Sequence, residues 1–245
     1  SEFLYSNDRA LTIAAIKALG NIANPTAIQR LAEKLGQDPK IDILILDIFS
    51  QIQDNTCLQK LNETLASQHA HLRTYAKTKL VQSGSKAVPI LTQNLLHSDD
   101  PDMVIHTLNV LGEIGDEAAV EPIRKLLDTQ PKNRNIRFAA YEALGMLPLN
   151  KSAYTLATGL TDPEEHVRIA ALAAIDRNLN NLLIAGLKNM IRQKDAEAIN
   201  IIRSIINAQA QNIFLHLIEV PEFQDFALRF LSRNTPPDIR NFFQK

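Results

Sequence analysis

The chain has no tryptophan and a single cysteine in 245 residues, and only 5% of its residues are aromatic. Each scarcity excludes something. Cys57 alone cannot form an intrachain disulfide, so a packed core must hold the fold; such cysteine usage fits a reducing compartment, and we expect the cytoplasm. The 26 Lys and Arg nearly balance the 27 Asp and Glu, leaving a net charge of −1. That balance carries no bulk attraction for nucleic acid or an anionic membrane. No run of 18 apolar residues exists, which argues against a membrane-spanning helix. The eight glycines are scattered and form no phosphate-cradling loop. Sustained apolar–polar alternation, the mark of a half-buried strand, is absent.

What the chain does have is helical periodicity, with 45% hydrophobic and 22% charged residues. The stretch from Ser98 to Leu127 is the template. Asp100-Pro101 reads as a helix start: an aspartate accepts the first free N–H groups, and proline suits the first helical position. Met103, Thr107, Val110, Leu111 and Ile114 then fall on one face, and Gly115-Asp116 breaks the run. A second helix follows, with Val120, Ile123, Leu126 and Leu127 as its stripe. Neither helix can bury its apolar face alone, so the unit is a helical hairpin of about thirty residues.

The hairpin recurs. Gly20, Ser50, Val81, Gly112, Gly145, Asp176 and Asn207 occupy equivalent places, in steps of 30, 31, 31, 33, 31 and 31 residues. Such a period identifies a repeat array in which each unit touches mainly its neighbours. We read one domain over 1–245, with repeats at about 8–36, 38–66, 69–97, 99–128, 131–160, 162–192 and 194–218 and terminal helices in 221–243. Asp8, Asp38 and Asp162 are expected to open the first, second and sixth units as Asp100 opens the fourth. The first helix of the second unit, IDILILDIFSQI, is apolar almost all round; it is either buried on two sides or offers a sticky face. Phe3-Leu4-Tyr5 reads as the tail of an earlier helix.

The units lack the ankyrin T-P-L-H-x-A and the tetratricopeptide tryptophan pattern. They resemble the short HEAT-like repeat named after phycobilisome lyases, whose pattern is D-P-x-V-R-x-x-A-x-x-A-L-G followed by A-V-x-P-L-x-x-L-L. Ile136-Arg137-Phe138-Ala139-Ala140 with Ala143-Leu144-Gly145, Asp162-Pro163 with Val167-Arg168-Ile169-Ala170-Ala171, and Ala119-Val120-Glu121-Pro122-Ile123 carry the likeness. It covers about residues 8–218. It implies an all-α fold: a right-handed α-α superhelix, or solenoid, of about seven hairpins plus a C-terminal capping helix. Arg73, Arg137 and Arg168 recur at the pattern's arginine, while Asp42 and Ile199 depart from it. We expect these arginines to form a structural ladder, each pairing with a capping aspartate or a carbonyl of a neighbouring unit, as a guanidinium fork allows.

Proteins with this repeat include enzymes. Di-iron deoxyhypusine hydroxylases hold metal through His-Glu pairs, yet none of the six histidines here precedes a glutamate. His69 and His71, two apart on a helix, point to different faces. Alkylpurine DNA glycosylases use a basic, aromatic groove, which this composition does not supply; nucleic acid is disfavoured. A bilin-lyase-type enzyme or enzyme subunit remains the alternative. Cys57, beside Leu58 on an apolar helix, reads as a buried structural thiol. We therefore expect no catalytic residues, no cofactor and no metal.

The expected function is a non-catalytic scaffold or adaptor that binds protein through the concave surface lined by the second helices. Asn62, Thr92, Arg124 and Lys188 are expected beyond the inner stripe, flanked by Glu121, Asp128, Tyr154 and Arg192. The partner is another protein or another domain of the same protein, with no membrane involved. Five of nine phenylalanines (Phe223, Phe226, Phe230, Phe242 and Phe243) crowd the last 23 residues, and some are expected to fold back over the 213–217 helix as a cap. Unsealed apolar ends suggest a segment of a longer protein or, alternatively, a homodimer.

Overall fold

Aspartate and asparagine place the helix starts. In the computed structural model, Asp8 accepts from the N–H of Ala10 at 2.8 Å, Asp38 from Lys40 at 2.8 Å, Asp100 from Asp102 at 3.0 Å and Asn133 from Asn135 at 2.9 Å. Each satisfies one of the donors a helix leaves unpaired at its start. The same device opens second helices, where Asn24, Asp54 and Asn180 cap Ala27, Cys57 and Leu183. Several helices stop in a left-handed residue: Ala23 (φ 51°), Gln53 (φ 52°) and Gly115 (φ 73°). Only the last is glycine, so Ala23 and Gln53 hold their turns against a steric cost of about 1–2 kcal/mol each.

The structure describes residues 2–148, 153–193 and 196–234, and among them every regular element is helical. The chain divides into two compact units, Ser1–Pro122 and Ile123–Lys245. The first holds α1 (Arg9–Ile22), α2 (Pro25–Ala32), α3 (Pro39–Ile52), α4 (Asn55–Thr64), α5 (Ala70–Ser83), α6 (Val88–His97) and α7 (Pro101–Ile114). The division falls inside α8 (Val120–Asp128). The second unit continues with α9 (Arg134–Met146), α10 (Ala153–Gly159), α11 (Glu165–Arg177), α12 (Asn181–Arg192), α13 (Ala196–Asn207), α14 (Gln211–Leu217) and α15 (Pro221–Asn234).

Both units have the same two-layer build. In the first, α1, α3, α5 and α7 pack side by side, while α2, α4 and α6 form the second layer. In the second, α9, α11, α13 and α15 make one layer and α10, α12 and α14 the other. The apolar α3 is the hub of the first unit. It lies between α1 and α5, with Ile45, Leu46 and Phe49 wholly buried, which answers why apolar residues run nearly all round it. Each such side chain contributes roughly 1.5–3 kcal/mol by leaving water. Ile43 is the large apolar side chain that this helix leaves exposed.

Two expectations change. Asp162-Pro163 does not start a helix: α11 begins at Glu165, and the Asp162 carboxylate accepts from the Glu164 N–H and is engaged by Arg137. Phe3-Leu4-Tyr5 is not the tail of an α-helix but a short 3-10 turn whose Leu4 is fully buried on α1. At the other end Phe223 is fully buried, its ring edge-on to Phe214 at 5.2 Å, so α15 packs back as a cap. The side chains of Phe226 and Phe230, and all of Phe242 and Phe243, lie outside the described residues.

Candidate interaction surface

One position organises the joints between repeats. In the first, second, third, fifth and sixth repeats it lies four residues after the first-helix cap and reaches back six residues to the preceding loop, whereas the fourth has Val104 there. Thr12 Oγ1 donates to the Ser6 carbonyl at 3.1 Å. Arg73 Nη1 donates to the carbonyls of Ser67 and Gln68 at 2.7 and 3.2 Å. Arg137 Nη1 does so to Pro131 and Lys132, and Arg168 Nη1 to Asp162 and Pro163, again near 2.7 and 3.1–3.2 Å. Each bond ties the first helix to the loop that enters it, and these contacts are part-buried or exposed. In the second repeat the polarity reverses. Asp42, 1% exposed by side chain, accepts from the Gly36 N–H at 2.9 Å, and its other oxygen meets His71 Nε2 at 2.8 Å.

Arg137 goes further than its equivalents. Its Nε and Nη2 bind Asp162 bidentately at 2.7 and 3.0 Å, with side-chain exposures of 15% and 8%. The Asp162 carboxylate holds the guanidinium pKa above its ordinary value. Arg168 Nε instead reaches the buried Ser204 hydroxyl at 3.2 Å. Beside the Arg137–Asp162 pair a polar cleft of about 590 Å³ opens between the α8–α9 and α10–α11 loops, with Asp128, Lys132 and Tyr141 on its wall. Tyr141 is 4% exposed, and burial pushes its phenol pKa up, so it stays protonated. Its ring fits because residue 159 is glycine, where a Cβ would stand 2.6 Å from Tyr141 Cζ.

The expected binding row does not survive whole. Asn62 is a correction: it is 4% exposed, and its amide exchanges hydrogen bonds with Asn94 at 3.1 and 2.7 Å while Asn94 also donates to buried Thr107. A primary amide has donors and an acceptor to pair both ways, so Asn62 joins α4 to α6 rather than facing a partner. Thr92 is half-buried and donates to the Pro89 carbonyl. Glu121 is exposed. In the second unit Arg124 is half-buried with Nε donating to Thr155 Oγ1 at 3.1 Å, Asp128 and Arg192 are exposed, and Lys188 is half-buried. The Tyr154 side chain lies outside the described residues.

No other chemistry gathers. Among the described residues no group of three His, Cys, Asp or Glu side chains could hold a metal ion. Cys57 is fully buried, and its thiol pKa is pushed up to about 12 by burial and by neighbouring Asp54. Thiolate, the nucleophile, is absent at neutral pH. No described helix is long and apolar enough to cross a membrane. The sequence reading placed the three arginines and Asp42 at this position but missed Thr12 and the asparagine pair, although counting four residues from the Asp8 cap would have aligned Thr12 with the arginines.

Residues 88–176 match the family model for HEAT repeats, and residues 13–37 match the PBS lyase HEAT-like repeat. No curated protein matches the chain in sequence. Among solved structures, an engineered protein aligns over 98% of this chain and 75% of its own, at 15% identity and TM-score 0.48. Human deoxyhypusine hydroxylase in complex with glycerol aligns over 86% of this chain and 92% of its own, at 15% identity and TM-score 0.42. The chain carries HEAT-like repeats over residues 13–37 and 88–176.

Proposed function

We propose that this chain is a non-catalytic scaffold that binds another protein, or another domain of its own protein, through the face formed by its second helices, and that it works in the cytoplasm. The observation that carries the reading is the exposure of large apolar side chains on second helices in both units. Leu96 of α6 is 57% exposed, Leu182 of α12 is 72% and Leu215 of α14 is 67%. Core packing does not use these side chains, which leaves their apolar surface available to a partner within each unit. The second helices of the second unit also carry exposed Asp128 and Arg192 and half-buried Lys188.

The test is capture on the immobilised chain, wild type against a Leu96→Gln/Leu182→Gln/Leu215→Gln variant, with bound proteins identified by mass spectrometry. The variant should keep its helical circular dichroism, since all three side chains already face water. It should lose at least tenfold of the specific partner signal. Undiminished capture would refute this face as the binding surface. Turnover of a substrate by the purified chain would refute the non-catalytic reading.

A further inference from the structure

The Arg137–Asp162 pair lines a polar cleft of about 590 Å³, within the roughly 300–1,000 Å³ of sites that hold small molecules. Asp128, Lys132, Tyr141 and Thr158 line the same space, all inside the second unit. The ion pair itself is already satisfied. Arg137 spends four of its five N–H bonds on the Asp162 carboxylate and two loop carbonyls, which fixes the guanidinium and leaves one N–H of Nη2.

Tyr141 is the informative residue. It is 4% exposed, yet its hydroxyl has only a marginal partner, Thr158 Oγ1 at 3.5 Å. Thr158 sends its own proton to the Thr155 carbonyl at 2.7 Å, so the phenol donates over that long distance and, among the described residues, no donor reaches the phenol oxygen. A buried hydroxyl short of partners is a cost to the fold, and a phenylalanine would fill the same space without it. The chain also gives up a side chain at Gly159 to seat this ring, since a Cβ there would stand 2.6 Å from Tyr141 Cζ. Packing alone does not explain the phenol. Charge gives the second, independent observation. Asp128 and Lys132 carry opposite charges on the wall of one cleft, and both are exposed. Among the described residues neither side chain has a hydrogen bond or ion pair, with the other or elsewhere. With Arg137 and Asp162 included, the lining charges cancel.

We infer that this cleft binds a free α-amino acid, its ammonium group on the Asp128 carboxylate and the Tyr141 oxygen, its carboxylate on Lys132 and the remaining Arg137 N–H. The phenol belongs at the ammonium end because the Asp162 and Asp128 carboxylates lie close enough to act on it and Lys132 does not. An anion would be repelled by Asp128 and a cation by Lys132, and either would leave one charge without a partner. A sugar favours an open aromatic face, and the Tyr141 ring is buried. Among the described residues no group could hold a metal ion. The cleft does not use the exposed leucines of the second helices, so it stands or falls apart from the scaffold reading.

The experiment screens the full chain by thermal melting against the protein amino acids one at a time, and titrates the most stabilising one by isothermal calorimetry. That amino acid should bind, and the amine and the carboxylic acid that each lack one of its charged groups should bind about tenfold more weakly, the loss of a charge-assisted contact. Asp128→Asn and Lys132→Gln, both at exposed positions, should each weaken it about tenfold with unchanged helical circular dichroism. Tyr141→Phe keeps the ring packing and should weaken it about fivefold without lowering the melting temperature of the free protein. Inorganic phosphate, spermidine and glucose serve as the anionic, cationic and neutral comparison probes. Absence of binding by every amino acid overturns the assignment. So does an affinity that survives the charge variants or Tyr141→Phe, or a comparison probe that binds wild type as tightly as the amino acid does.

Discussion

One added methyl group should move stability in opposite directions at two glycines of the same unit. Gly159 is the last residue of α10, and an alanine Cβ there would sit 2.6 Å from Ala171 Cβ and from Tyr141 Cζ. Both neighbours are buried, Ala171 completely and Tyr141 at 4% exposure, so neither can yield without moving others. Overpacking of this kind costs about 1–3 kcal/mol. The helix-propensity gain is at most about 1 kcal/mol, and smaller at a helix end, so the clash wins by about 1–2 kcal/mol. Gly186 is mid-helix with open space around its Cα, so Gly186→Ala should gain about 0.5–1 kcal/mol with no opposing clash. For a chain of this size each kcal/mol moves the melting temperature by about 2–4 °C. Thermal melts followed by helical circular dichroism, with urea titrations alongside, should show Gly159→Ala melting roughly 2–8 °C below wild type and Gly186→Ala about 1–4 °C above it. Both sites lie in the second unit, so they report on the same transition. A Gly159→Ala variant as stable as wild type would refute the close approach of α10, α9 and α11. A destabilised Gly186→Ala would refute the open space beside α12.

Three further outcomes follow from particular contacts. Removing either partner of the mostly buried Arg137–Asp162 pair strands the other charge, so Arg137→Ala and Asp162→Ala should each cost about 3 kcal/mol; in a urea double-mutant cycle the double variant should fall short of their sum by more than about 1 kcal/mol. Cys57, with a thiol pKa of about 12, should resist alkylation by iodoacetamide at pH 8 in the folded protein and react on unfolding; prompt labelling of the native chain would contradict its burial. The Ser85 hydroxyl, then the Ala118 N–H, lower the Asp116 pKa, so its contribution is present above the ordinary carboxylate pKa of about 3.9 and is lost as pH falls through the lowered folded value. Ser85→Ala should bring the Asp116 titration in NMR back toward the ordinary value; an unchanged titration would remove Ser85 as the cause.

Local chemistry was enough to determine the helices and their order. A cap needs only its own next three residues, so Asp8, Asp38 and Asp100 could be read as starts without any tertiary knowledge. Apolar spacing of three and four identified the buried face of α7, and the recurring period of about 31 residues implied hairpins stacked on their neighbours. Burial of Cys57 followed from the same pattern.

What tertiary structure alone decided are the roles of residues whose partners lie a whole repeat away. Asp162 has the same Asp-Pro context as Asp38 and Asp100, yet Arg137, 25 residues earlier, claims its carboxylate and the helix starts later. Asn62 looked like a surface residue until Asn94, 32 positions on, paired with it inside the stack. Gly159 and Gly186 are indistinguishable in a list of residues; one is needed because Tyr141 and Ala171 approach, and the other stands in open space because nothing does. A hydrogen bond or a void depends on distances between layers, and those are set by the packing of whole helices rather than by any residue's chain neighbours.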